Sequence, residues 1–240
     1  MSGFYIPKMN IVHICFGGNI MQAIMETIFD LVYLPTVITL GIILIKNAKG
    51  QKQFLLYGFM AVGLGLGDAF HLIPRSVALL TTGLENRVFS LGMGKWITSV
   101  TMTVFYVLLY HVWRERYGIT GKNGITVSVY ALAVLRIVLC FMPQNAWTSP
   151  DAPLSWAIYR NIPFTVLGIL IIVLFYKSAK EQHDEKFRRL WLTIVLSFGF
   201  YIPVVLFSDA FPLIGILMIP KTCAYVWTVL IGFNAMKEKK

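Results

Sequence analysis

A single bundle of seven transmembrane α-helices is the fold class this sequence predicts, and three observations predict it. Hydrophobic residues fill 57% of the 240 positions and charged ones 13%, with a mean hydropathy of +0.71, which leaves too little polar surface for a soluble fold. Seven apolar runs each approach the roughly 20 residues that an α-helix needs to cross a hydrocarbon core. Lysine and arginine gather in alternate connections between those runs, the pattern expected of a multi-pass chain.

The spans are read at residues 22–46, 54–74, 88–113, 125–142, 155–176, 188–208 and 212–235, with boundaries good to roughly three residues. Continuous apolar runs such as Gly41 to Ile45 and Leu167 to Leu174 exclude a β-barrel, whose strands alternate apolar and polar residues. The whole chain forms one domain, with no room for a second folded unit.

Before the first span, residues 1–20 contain Lys8, a broken apolar stretch and Gly17-Gly18. They lack a signal-peptide core and cleavage site, so they are expected to be retained along the outer interface.

On the first span Glu26 and Asp30 share a face at i, i+4, with Tyr33 following. Two acids one turn apart repel unless a proton, a cation or a base sits between them.

The second span carries the most distinctive local sequence, Gly63-Leu64-Gly65-Leu66-Gly67-Asp68-Ala69-Phe70-His71-Leu72-Ile73-Pro74-Arg75. Its glycines allow a neighbouring helix, or a ligand, to reach the backbone. Asp68, His71 and Arg75 form one polar stripe in which Asp68 and His71 can share a proton or orient one another. With Pro74 just beyond, His71 also has an interfacial, helix-ending reading.

The third span places Lys95 roughly 10 Å from its outer end at 1.5 Å per residue, and the fourth places Arg136 roughly 9 Å deep. Arg136 keeps its charge in any environment, so an acidic partner such as Asp30 or Asp68 is expected. Tyr159-Arg160-Asn161-Ile162-Pro163 opens the fifth span and Tyr201-Ile202-Pro203 interrupts the sixth, offering kinks near the same depth. On the seventh, Lys221 lies roughly 14 Å deep, shares its face with Tyr225 and Thr228, and follows Pro220, which can free backbone carbonyls.

Lys46, Lys49 and Lys52, then Arg114, Arg116 and Lys122, then Lys177, Lys180, Lys186, Arg188 and Arg189, and finally Lys237, Lys239 and Lys240 all fall on one side of this arrangement. Basic connections stay cytoplasmic, so the N-terminus is expected outside and the C-terminus inside, in a prokaryotic plasma membrane by size and compactness. The formal charge of +10 then reflects topology and attraction to membrane lipids rather than a nucleic-acid partner.

The charged residues inside the spans therefore share the outer half of the bilayer, where each costs several kcal/mol unless paired or hydrated. Glu26, Asp30 and Asp68 face Lys95, Arg136 and Lys221 in number, a balance that a structural ion-pair network also satisfies. At the rim Arg75, Arg87 and Arg160 outweigh Glu85 and Asp209, which draws a small anionic ligand or lipid phosphates. The six tryptophans fall mostly near span ends, as interfacial belts. Cys15, Cys140 and Cys223 read as buried thiols without metal-ligand spacing, and no pattern identifies a cofactor.

The leading functional expectation is a membrane-embedded enzyme acting on a lipid or another small anionic substrate. Asp68, His71 and Asp30 would be catalytic, and Glu26, Arg75, Lys95, Arg136, Lys221 and Tyr225 would bind substrate. A small-solute or proton-coupled transporter is the first alternative, since intramembrane charges among proline-interrupted helices mark such pathways. A seven-helix sensor is the second.

The Gly67-Asp68 pair is similar to a Gly-Asp pair in the lysoplasmalogenase-like membrane family, and the similarity ends with those two residues. The seventh span has no histidine, unlike the alkaline-ceramidase and adiponectin-receptor superfamily with its late-helix zinc ligands. Lys221 resembles the Schiff-base lysine of retinal proteins, but Leu217 stands where microbial rhodopsins carry an acid.

Overall fold

The computed structural model describes the backbone of residues 9–81, 83–208 and 210–238, and side chains within residues 21–238. Residues 1–8, the side chain of Cys15 and rim residue Asp209 lie outside the described residues, and with them the expectations placed there.

All regular structure among the described residues is helical: α1 (Met9–Lys46), α2 (Lys52–Leu80), α3 (Val88–Arg116), α4 (Asn123–Phe141), α5 (Leu154–Glu181), α6 (Leu190–Phe207) and α7 (Met218–Lys237). Among the described residues seven helical segments, from Ala23–Lys46 to Ile214–Lys237, the third and seventh including the 3-10 turns that precede α3 and α7, are long and apolar enough to cross a membrane. Each helix packs on the next, and α7 returns to pack on α1 and α2, closing a ring. The lysine- and arginine-rich connections all sit at one end, called here the basic end.

Glycine sets how closely the helices approach. A side chain at Gly65 would run into Ile38 of α1, and one at Gly67 into Thr101 of α3, whereas Gly63 faces open space. Two of the three glycines therefore serve helix packing, on opposite sides of α2.

The second helix runs six residues past the expected end, with Pro74 inside it. The missing proline N–H frees the carbonyl of Phe70, four residues earlier, and that oxygen lies where a Cβ on Gly94 of α3 would be. Gly94 leaves room for that backbone to approach α3, and α2 continues to Leu80, so His71 stands well inside α2 and does not end it.

Three further expectations change. Pro220 lies in the first turn of α7, directly after a 3-10 helix over Pro212–Leu217, so it marks where the tighter helix gives way to the α-helix and not a break inside a regular α-helix. Trp113 is a core residue, 1% exposed, whose indole N–H donates to Ser178 Oγ at 2.9 Å, instead of an interfacial ring. Cys140 is buried as expected, but Cys223 is exposed.

Candidate functional site

The acids of the predicted layer are taken up between α1 and α2, in three rungs one turn apart. Nearest the rim, Arg75 grips Glu26 with Nε–Oε2 at 2.9 Å and Nη2–Oε1 at 3.3 Å. One turn deeper Ser76 Oγ donates to Asp30 Oδ2 at 2.9 Å. Deepest, Tyr33 OH donates to Asp68 Oδ2 at 2.7 Å. Glu26, Asp30 and Tyr33, at i, i+4, i+7 on α1, meet Arg75, Ser76 and Asp68 of α2, where Arg75 and Ser76 are adjacent and Asp68 lies two turns away.

Asp68 thus bonds to Tyr33, and among the described residues no hydrogen bond or ion pair joins it to His71. The imidazole is close enough to Lys95, Arg75 and Lys221 to feel their charges, and its Nδ1 is buried without a hydrogen-bond partner. Lys95 is exposed on α3, so it borders the layer from outside.

Arg136 is only 2% exposed. It reaches from α4 to the junction of three other helices, with its guanidinium carbon 3.2 Å from the ring centre of Phe164 on α5 and with Tyr201 of α6 and Tyr225 of α7 in electrostatic range. The Cys140 thiol, one turn away on α4, is within hydrogen-bonding reach of the guanidinium. Its Nε and Nη1 are buried and have no hydrogen-bond partner.

Lys221, 7% exposed, sits beside it. Its ammonium lies 5.0 Å from the ring centre of Tyr201 and 5.3 Å from that of Tyr225. It feels the charges of both Arg136 and Asp68. Among the described residues, however, no carboxylate lies within salt-bridge distance of Arg136 or Lys221. The acidic partner expected for Arg136 is therefore absent there, and the balanced network of three acids and three bases does not form. The acids settle on α1 and α2, while two cations share an aromatic pocket.

Below this pocket, toward the basic end, hydroxyls continue between α6 and α7. Tyr106, Ser197 and Tyr225 gather one turn below Lys221. Next, Thr193 Oγ1 and Thr228 Oγ1 lie 2.7 Å apart, and Tyr57 OH donates to the Thr228 carbonyl at 2.5 Å. Ser128, by contrast, is exposed and bonds its own helix at Gly124.

At the rim Arg160 donates to Asn145 Oδ1 at 2.9 Å and covers the Trp147 ring at 4.2 Å. Sequence reasoning missed Ser76, Phe164 and Ser197. Ser76 was findable, since Asp68, Leu72 and Ser76 recur at i, i+4, i+8; Phe164 and Ser197 carry no sequence signal beyond their helical phase.

Among the described residues no group of three His, Cys, Asp or Glu side chains is arranged to hold a metal ion. Comparison with protein-family models, curated proteins and solved structures finds no significant match to the chain.

Proposed function

We propose that the protein is a multi-pass membrane protein acting on a small anionic substrate, and that Arg136 and Lys221 receive its negative charge. One observation carries this reading. Two buried cations stand within electrostatic range of each other, with no carboxylate in contact and with two guanidinium nitrogens, Nε and Nη1, unpartnered. An arrangement that costs several kcal/mol when empty becomes favourable once a phosphate or carboxylate accepts those donors. The aromatic walls of Phe164, Tyr201 and Tyr225 keep water from competing for the anion.

With the basic end cytoplasmic by the positive-inside rule, the site lies in the outer half of the membrane, and a lipid ester or phosphoester is the natural substrate. Asp68, oriented by Tyr33 and within electrostatic range of Lys221, is the proton-transfer group. Asp30 and His71 are the other titratable groups of the layer, and the Glu26–Arg75 pair closes its rim.

Transport of the same anion is the second reading, favoured by the hydroxyl line from Tyr225 to Thr193, Thr228 and Tyr57 that continues toward the basic end.

Purification in mild detergent followed by mass spectrometry of co-purifying small molecules tests the site. Wild-type protein should carry an anionic species that Arg136→Gln loses selectively; equal content in two folded proteins would overturn the reading. Once the species is known, Asp68→Asn separates the two activities. An enzyme should lose turnover and keep binding, whereas a transporter should show uptake into proteoliposomes without chemical change.

A further inference from the structure

A second group of cations lies at the opposite end of the bundle from Arg136. The end of α5, the following loop and the start of α6 enclose a cavity of about 430 Å3. Lys180, His183, Arg188 and Arg189 line it on the side of the loop, and the rings of Tyr176 and Trp191, in edge-to-face contact at 5.4 Å, line it on the side of the helices. Lys180, Arg188 and Arg189 set three formal positive charges against the single carboxylate of Glu185. That carboxylate pairs with Arg188 at 3.4 Å between two exposed side chains, an interaction too weak to neutralise the cavity. Among the described residues the Lys180 and Arg189 side chains have no hydrogen bond or ion pair.

The occupant must be amphiphilic. Tyr176 is 47% exposed on the outer surface of α5, and exposed Val173 and Val195 continue that surface away from the basic end. In a membrane-spanning orientation those valines face acyl chains, the two rings sit at headgroup depth, and the lysine and arginines stand where lipid phosphates are. A soluble anion would use the cations and leave the rings and valines unexplained. Basic pockets between helices at this depth recognise anionic headgroups.

We propose that this cavity is a binding site for the headgroup of an anionic phospholipid, with Lys180 and Arg189 as its phosphate ligands and Tyr176 and Trp191 against the glycerol and first acyl carbons. The proposal is independent of the Arg136 pocket.

Full-length protein in detergent, titrated with phosphatidylglycerol and read by native mass spectrometry, tests it, with phosphatidylcholine and glycerol 3-phosphate as neutral and acyl-free comparisons. Lys180→Gln/Arg189→Gln should weaken phosphatidylglycerol retention by about tenfold or more. Lys46→Gln/Lys49→Gln removes the same charge from the same end and should leave retention unchanged. Equal weakening in the two double variants, equal retention of phosphatidylcholine by the wild type, or displacement by equimolar glycerol 3-phosphate would each overturn the site. A second readout needs no charge change. Phosphatidylglycerol brominated near the headgroup should quench Trp191, read as the difference between wild type and Trp191→Phe, and absence of quenching would overturn the proposal equally.

Discussion

Arg116 and Arg136 sit on neighbouring helices and are treated in opposite ways. Arg116, at the basic end of α3, holds Asp184 through two bonds of 2.8 Å and stacks on Phe187 at 4.5 Å. Arg136 stacks on Phe164 in the same fashion but meets no carboxylate among the described residues. The ring contact is common to both, so it is not what separates them. A guanidinium that already has its counter-ion fastens α3 to the α5–α6 connection, whereas one without it retains the capacity to bind an anion from outside the chain.

The sharpest way to break this comparison is to make both arginines methionine. Arg116→Met leaves the Asp184 carboxylate, 7% exposed, without its counter-ion, facing the backbone N–H groups of Lys186 and Phe187 and the Tyr117 hydroxyl, and should destabilise by about 3 kcal/mol. Arg136→Met removes an uncompensated charge and should be neutral or stabilising by about 1 kcal/mol, while abolishing the co-purifying anion. Unfolding midpoints in detergent measure both; a loss at Arg136 as large as at Arg116 would mean that both are structural.

Acid sharpens the same contrast. Burial alone would raise the Asp184 carboxyl, but the Arg116 hydrogen bonds and charge outweigh it and hold it below the usual carboxylate range. A depressed value gives stability that is complete above the unfolded value of 3.8 and is lost as the pH falls toward the folded one. The stability gap between wild type and Arg116→Met should therefore narrow below pH 4, in midpoints recorded from pH 7 to pH 3. A constant gap would remove the ion pair as its cause.

The glycines of α2 offer smaller effects of opposite sign. Gly67→Ala drives a methyl into Thr101 and should cost about 2 kcal/mol. Gly63→Ala meets open space and should gain up to about 1 kcal/mol in helix propensity. Thermal midpoints of the two single variants decide it, and equal signs would contradict the packing described.

The seven apolar helical segments and the phase of the charged residues on each were legible in the sequence because each depends on one helix and its solvent. Partner choice was not, since the pairing of Asp68 with Tyr33 instead of His71 depends on the register of α1 against α2. The same holds for Arg136, whose spacing predicted burial but could not say that the acids would be taken up on two other helices. Trp113 misled for a related reason: a span end is interfacial only if the helix faces lipid there, and that face of α3 is covered by α5.

The close approach of Phe70 and His71 to Gly94 makes one position of α3 answerable to the backbone of α2. A methyl group at position 94 would meet the Phe70 carbonyl oxygen and the His71 Cα, so any larger residue there opens the α2–α3 seam beside His71 and Asp68. Because the collision is with backbone, no exchange of side chains on α2 relieves it. Position 94 therefore stays closed to every residue but glycine for as long as the two helices keep this seam, which makes it a fixed point around which the charged layer can vary.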